Sequence, residues 1–146
     1  MSFNLYERHI APTLRERCRM AIPLELKALS DDGRFAGYAS VFGVTDSQRD
    51  VVMRGAFVGS IAGRLSDIKL LWQHQISEPI GYFTAMFEDS RGLYVEGQLL
   101  LEVARAREAY ALMKQGVVRG LSIGYAPVRY TRDADSGVRR LHEVAL

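Results

Sequence analysis

Apolar and polar residues alternate along much of the chain from Leu24 onward, and this period of two predicts β-strands with one buried face. Short segments rich in aspartate, serine and glycine interrupt the alternation, and these residues suit tight turns. Two antiparallel hairpins are therefore predicted: residues 24–29 with 35–43 around the turn at 30–33, and residues 80–88 with 93–101 around the turn at 89–92.

Two other segments have the period of a helix. Phe57, Ile61 and Leu65 recur at i, i+4 and i+8 within residues 55–65, and residues 104–115 form a second amphipathic stretch that ends at Gly116. Further strands are predicted at residues 68–73, 117–130 and 138–146. About seven strands and two helices predict an α+β fold. Because closure of a sheet removes its exposed edges, we expect a small, closed or nearly closed, mostly antiparallel β-barrel surrounded by helices.

The length of 146 residues predicts one compact domain, preceded by a short extension. Residues 1–21 contain Pro12 and alternating charges without an apolar face, so we interpret them as a weakly ordered N-terminal extension and residues 22–146 as the domain. Residues 44–54 are predicted to form a polar loop, and the part at 46–54 is interpreted as a structural connection rather than a site. Hydrophobic residues make up 48% and charged residues 25%, which excludes a disordered tail and a coiled coil.

Charge and cysteine content narrow the classes of partner. Lysine and arginine number 19 against 17 aspartates and glutamates, without a concentrated basic face, so we expect no specific nucleic-acid partner. No apolar run approaches the roughly 18 residues of a membrane span, and the N-terminus does not resemble a signal peptide, so we expect a cytosolic protein without a membrane partner. The single cysteine, Cys18, excludes an internal disulfide and a cysteine-built zinc site, and no cofactor or metal is expected.

Two residues are candidates for chemistry. His74 follows a predicted buried strand, and its ordinary pKa near 6.5 suits a general base, although a histidine at a strand end is more often structural than catalytic. His9 and His142 have no spacing that would make His74 a metal ligand. Ser122 lies between Gly120 and Gly124, which leave room for another backbone to approach, or it is an ordinary strand serine facing solvent.

Several sequence blocks in the order of the chain resemble those of the tailed-phage prohead proteases, the head-maturation serine proteases related to the herpesvirus assemblins. The resemblance runs from about residue 24 to residue 146. Its specificity comes from the order and spacing of the blocks rather than from any one of them. The blocks are Gly37–Gly43, Asp50–Val52, Gly55–Phe57, Leu70–His74, Pro79–Gly81, Gly92–Leu93 and Gly120–Tyr125.

The resemblance implies an assemblin-like barrel and assigns the site residues. It implies that Ser122 is the nucleophile and that His74 is the general base. For the third member it implies Glu143, which lies in a sequence similar to the family's glutamate-containing strand; His142 or a residue beyond the end of the chain are the alternatives. We expect the domain to lack its C-terminal end, because the second glutamate of that family pattern is not reached.

The implied function is that of a serine endopeptidase in the head maturation of a bacteriophage or prophage. It would act inside the procapsid in the host cytoplasm, on the scaffolding region of the major capsid protein or on a separate scaffold protein, and on itself. A homodimer is left open, and the extension at 1–21 is interpreted as a self-cleavage or packaging segment. The alternative is a capsid-assembly binding module that is truncated or catalytically inactive.

Overall fold

The computed structural model describes residues 2–5, 18–23 and 26–146. Within these ranges it contains ten β-strands, two α-helices and one 3₁₀ turn. The strands are β1 (Ser2–Leu5), β2 (Cys18–Pro23), β3 (Leu26–Leu29), β4 (Arg34–Val41), β5 (Asp50–Val52), β6 (Ile68–Leu71), β7 (Pro79–Glu88), β8 (Gly92–Leu99), β9 (Gly120–Arg132) and β10 (Arg139–Ala145). The helices are α1 (Val58–Ile61) and α2 (Ala104–Lys114), and the 3₁₀ turn is Leu65–Asp67.

All the described strands belong to one sheet, in the order β3-β4-β8-β7-β6-β1-β9-β10-β5, with β2 paired to β9 outside this path. Neighbouring strands are antiparallel except β1 with β9 and β5 with β10. The predicted α+β class is confirmed. The predicted barrel closure is not found, because within the described part of the chain the terminal strands β3 and β5 do not pair with each other.

Both predicted hairpins are present, and their turns explain why they form. β3 and β4 are joined by a turn in which the Gly33 N–H donates to the Ser30 carbonyl at 3.0 Å, and Gly33 has a φ of +86°, which favours glycine. β7 and β8 are joined by a turn in which the Asp89 carboxylate accepts the N–H groups of Arg91 at 2.7 Å and Gly92 at 3.1 Å. The glycine of the first turn and the aspartate of the second thus each stabilise a predicted turn.

The predicted helices differ in how well they match. α2 lies where it was predicted and buries Ala106, Ala109 and Met113 against the sheet. α1 is much shorter than the predicted 55–65, because Ala62 is extended and Gly63 has a φ of +66°. Apolar side chains from alternate strand positions fill the core beside the helices, including Leu93, Val95, Leu99, Leu121, Ile123 and Tyr125.

β5 was not predicted, since it lies inside the polar segment interpreted as a loop. Three residues are too few to show a period, yet all three are buried and pair in parallel with the start of β10. The first of them, Asp50, is only 1% exposed. A buried carboxylate needs a counter-charge and hydrogen-bond donors, because transfer from water to the protein interior is costly for a lone charge.

Arg139 supplies that counter-charge from the first position of β10. Its Nε and one terminal nitrogen each lie 2.7 Å from a different oxygen of Asp50, and the residue is 6% exposed. The hydroxyl of Tyr125 on β9 donates to Asp50 Oδ2 at 2.9 Å. One buried charge cluster, Asp50–Arg139–Tyr125, therefore connects β5, β10 and β9.

We expect Arg139→Met alone to destabilise the fold by about 3–5 kcal/mol, because it leaves the Asp50 charge buried without its partner. The double variant Asp50→Leu/Arg139→Met should recover most of that loss, since no buried charge remains. Chemical denaturation with a double-mutant cycle measures both quantities.

The matched control is Lys114→Ala, which removes an exposed ion pair with Asp31 of 3.1 Å. It should leave the unfolding transition where it is, since exposed pairs contribute little. An Arg139→Met variant as stable as Lys114→Ala would contradict the structural role given to the charge cluster.

Candidate active site

His74 lies in a tight turn directly after β6. The Gln75 N–H donates to the Trp72 carbonyl at 2.9 Å, and the Trp72 N–H donates to the Glu78 carbonyl at 2.9 Å. The two central residues, Gln73 and His74, have φ values of +46° and +61°. Positive φ at both central positions is the requirement of a type I′ turn, which normally selects glycine or asparagine.

The backbone conformation of His74 is therefore costly. A residue other than glycine in the left-handed region costs roughly 1–3 kcal/mol, and such residues occur often at functional sites. The surrounding structure holds the turn in place: Leu70 and Leu71 before it are 0% and 2% exposed, and Ile80 after it is 0% exposed. His74 itself is half-buried, so it is partly exposed to solvent beside these buried strand residues.

Ser122 is the third residue of β9, between two core positions. Leu121, Ile123 and Tyr125 are all buried, so position 122 belongs to the other set of alternating positions. Its backbone pairs with Ser2 of β1, in parallel, and with Ala21 of β2, antiparallel. Because a strand has only two edges, both edges of β9 are occupied at Ser122.

The sheet brings the end of β6 close to Ser122. Ser2 pairs with Leu71 on one side and with Ser122 on the other, so these three positions form one row across the sheet. With strands spaced about 4.8 Å apart, the backbones of Leu71 and Ser122 are separated by about 10 Å. The turn with His74 begins immediately after Leu71 and lies at the end of the sheet where β9 starts.

Glu143 and His142 lie on β10, beside a different part of β9. Glu143 pairs with Arg129 in register and its Oε2 is 3.8 Å from Arg129 Nε. His142 Nε2 is 3.0 Å from Thr131 Oγ1. Between positions 122 and 129 the strand rises about 23 Å at 3.3 Å per residue. The register thus places Ser122 and the β6 turn at one end of β9 and Glu143 towards the other.

Local sequence patterns missed the charge cluster that anchors the Gly120–Tyr125 block. Tyr125, three residues after Ser122, donates its hydroxyl to Asp50, and Asp50 is separated from Arg139 by 89 positions. Asp46 adds a second carboxylate behind the cluster, since its Oδ1 accepts the N–H of Asp50 at 2.7 Å and of Gln48 at 2.8 Å. Burial raises the pKa of Asp46 above its ordinary value, and these backbone donors act against that shift.

Another sequence block has a structural explanation. The carboxylate of Glu88, at the end of β7, accepts the N–H groups of Gly55 and Phe57, each at 2.7 Å. This contact fixes the segment that leads into α1 and places the Phe57 ring in the core, where it is 0% exposed. The Gly55–Phe57 block therefore has a role in packing, and the contacts described for it do not involve His74 or Ser122.

A cavity of about 890 Å³ opens beside β6 and β7. Its lining is mostly apolar, with Lys69 as the charged residue, and includes Leu65, Ile68, Pro79, Tyr82 and Phe83. Neither His74 nor Ser122 is among its described lining residues, so the cavity is not assigned to the two candidates for chemistry.

The described ranges hold no group of three or more side chains arranged to bind a metal ion. Among those same residues, no helix has the length and apolar character needed to cross a membrane.

Comparison with known proteins connects this geometry to a family. The family model described as "Caudovirus prohead serine protease" matches residues 22–146. The chain is 38% identical over 105 residues to the prohead protease of Enterobacteria phage HK97, covering 70% of this chain and 47% of that protein. It is 36% identical over 110 residues to the capsid polyprotein of Pseudomonas phage PAJU2, covering 70% of this chain and 16% of that protein.

The fold itself is similar to a solved structure. The bacteriophage T4 capsid assembly protease superposes with a TM-score of 0.63 and 11% sequence identity, covering 90% of each chain. At this identity the likeness concerns the fold alone. The chain spans less than half the length of the HK97 relative and a smaller part of the PAJU2 relative.

We expect Gln73→Gly to raise the midpoint of thermal unfolding slightly, because glycine adopts the positive φ of this position at little cost. The matched control is Gln75→Gly in the same turn, which has no positive φ to relieve and should lower the midpoint through greater freedom of the unfolded chain. The two variants should differ by about 1–2 kcal/mol in the free energy of unfolding. Equal stabilities would show that the turn is not strained at Gln73.

Proposed function

The chain belongs to the caudovirus prohead serine proteases, and on this premise we propose that it is a serine endopeptidase of phage head maturation. The family match over most of the chain supports the class of reaction. The placement of the β6 turn and the start of β9 at one end of the sheet supports the choice of residues. The observation that carries the proposal is the pairing of Ser2 with both Leu71 and Ser122, which brings a histidine-containing turn to a strand with a serine.

In this proposal Ser122 is the nucleophile and His74 is the general base. The Ser122 hydroxyl oxygen attacks the carbonyl carbon of the peptide while His74 accepts the hydroxyl proton. His74 then gives that proton to the amide nitrogen, the C–N bond breaks, and an acyl-enzyme remains. Water attacks the ester with His74 again as base, which releases the carboxylic acid and restores the serine. A costly turn held rigidly on buried strands supports this role, since a base needs a fixed orientation.

The substrates we propose are the scaffolding region of the major capsid protein, or a separate scaffold protein, and the chain itself. The relatives named as a prohead protease and as a capsid polyprotein support a capsid protein as the partner. The site of action in this proposal is the interior of the procapsid, in the host cytoplasm.

A second function, a capsid-binding module without cleavage, is favoured by one observation. Both edges of β9 at Ser122 are already paired with strands of the same chain. A protein that only binds would tolerate this arrangement without any rearrangement.

We expect Ser122→Ala to abolish shortening of the capsid protein on co-expression, while the two proteins still associate in a pull-down. His74→Gln should reduce cleavage to a similar extent, because a nucleophile and its base act as one unit and either loss costs on the order of 10⁴-fold or more. Ser66→Ala is the matched control, since Ser66 is exposed and its described hydrogen bond uses the backbone carbonyl.

Full-length capsid protein with the wild-type chain, together with a positive pull-down, would favour the binding module. If the capsid protein is still shortened by the Ser122→Ala variant, the chain is a protease but Ser122 is not its nucleophile.

For the third member we propose Glu143, with His142 as the alternative. Glu143 has a side chain that is 46% exposed, and its ion pair with Arg129 is long, so the carboxylate is free to take another orientation. The register partner of Glu143, Arg129, lies about 23 Å along β9 from Ser122, so the role requires a larger change in the path of β10 than the one-residue irregularities on either side of Glu143.

Under this proposal Glu143→Gln lowers kcat/KM by about 10⁴-fold, as expected when the group that fixes the histidine tautomer loses its charge. Arg129→Gln is the matched control, because it breaks the same ion pair but leaves the carboxylate. Peptide hydrolysis assays on both variants and on His142→Asn separate the candidates. If Glu143→Gln and Arg129→Gln lower kcat/KM by equally small factors, Glu143 has no catalytic role beyond its surface ion pair with Arg129.

A further inference from the structure

The strand that contains Ser122 has no free edge in this structure, and both occupied edges are filled from the first 23 residues. β1 covers one edge at Ser122 and Ile123, and β2 covers the other along the whole of Gly120–Tyr125. A peptide bond cannot approach a strand residue as a paired extended chain while both edges are taken. Access to Ser122 in that manner requires one of the two strands to leave.

The two covering strands differ in how many ladders hold them. β1 lies between β6 and β9 and pairs with both, so its removal would break two ladders and separate the two parts of the sheet. Among the described strands, β2 pairs with β9 only and stands outside the main strand order. Removal of β2 would therefore break one ladder and leave the rest of the sheet intact.

β2 also has the geometry of a bound peptide. It is an extended six-residue segment, antiparallel to β9, with an unbroken register from Cys18 opposite Tyr125 to Pro23 opposite Gly120. Ala21 lies opposite Ser122. Addition of an extended peptide to a sheet edge gives affinity through main-chain hydrogen bonds and specificity through alternate side chains.

We propose that the edge of β9 paired with β2 is the binding site for the peptide substrate, and that residues 18–23 occupy this site in cis. The inference rests on the proposed function and describes how a peptide substrate would bind at that same site. An incoming substrate replaces β2 as an antiparallel strand across Gly120–Tyr125. The class of substrate is an extended segment with a small residue opposite Ser122 and apolar residues on either side, as in Met20-Ala21-Ile22.

Competition with a tethered strand has a quantitative consequence. A short covalent link gives the cis segment an effective concentration in the millimolar range, so a free peptide of equal affinity binds only when present at comparable concentration. Cleavage of external substrate should rise when β2 is detached and stop when it is held in place. The same edge presents residues 18–23 to Ser122, which would make this segment a substrate in cis.

A reversible disulfide between β2 and β9 tests the proposal in the full chain. Arg19 and Gly124 are register partners, and paired residues of antiparallel strands have Cα atoms about 4.5–5.5 Å apart, within disulfide range. The variant is Arg19→Cys/Gly124→Cys with Cys18→Ser to prevent mispairing. Pro23→Cys/Gly120→Cys, at the other end of the same ladder, is the second variant in case the first does not fold.

We expect the oxidised variant to cleave an external peptide at least tenfold more slowly than the same protein after reduction. The peptide has the sequence of residues 17–24 with serine in place of Cys18. The matched control is Ala28→Cys/Ala36→Cys, also with Cys18→Ser, which joins β3 to β4 and involves neither strand of the β2–β9 ladder. Oxidation of the control should not change the rate. Equal rates for oxidised and reduced β2–β9 variants would overturn the inference while leaving the proposed protease function intact.

A binding measurement separates the inference from catalysis. With Ser122→Ala added, fluorescence anisotropy of the labelled peptide should show saturable binding to the reduced protein and at least a tenfold weaker binding to the oxidised protein. Binding that the disulfide blocks, together with no cleavage by the reduced protein that keeps Ser122, would keep the site and reject the protease. Binding that is the same in both redox states would reject the site whether or not the chain cleaves.

Discussion

A carboxylate and a guanidinium are both costly to bury, and each is tolerated in the interior of this protein because it binds the other; this requirement fixes the register of three strands. Asp50 and Arg139 form two hydrogen bonds of 2.7 Å, and Tyr125 satisfies the carboxylate from β9. A slip of one residue in β9 or β10 would turn these side chains to the opposite face and leave a charge buried alone. Because Tyr125 belongs to the same short block as Ser122, the cluster also fixes where Ser122 lies.

The conformation of the His74 turn is likewise imposed by the buried residues around it. Two consecutive residues with positive φ are unfavourable, and they persist because β6 and β7 on either side are anchored by buried leucine and isoleucine side chains. β1 lies between β6 and β9, so the end of β6 is two strand spacings from Ser122. The charge cluster thus fixes the position of Ser122 through β9, and the buried residues of β6 fix the position of the His74 turn.

The sequence predicted those parts of the fold that depend on neighbouring residues. Both hairpins and α2 follow from local alternation, helical period and turn residues, and the structure contains them. β5 was missed because three residues show no period, and its partner Arg139 is 89 positions away. The expected barrel closure was not found in the described chain, since strand order is a long-range property. The position of Glu143 depends on two irregularities in β10, which no alternation reveals.

The placement of Ser122 inside the sheet also affects how a substrate could reach it. An enzyme with its nucleophile on an exposed edge accepts peptides at any time, whereas a strand paired on both sides accepts one only by exchange. Exchange at β1 would have to break two ladders, one with β6 and one with β9, and so disturb the row that holds the His74 turn near Ser122. Exchange at β2 leaves that row intact. Among the described strands, replacement of residues 18–23 is the exchange that breaks a single ladder and leaves that row in place, which is why the proposed access to the site depends on this segment.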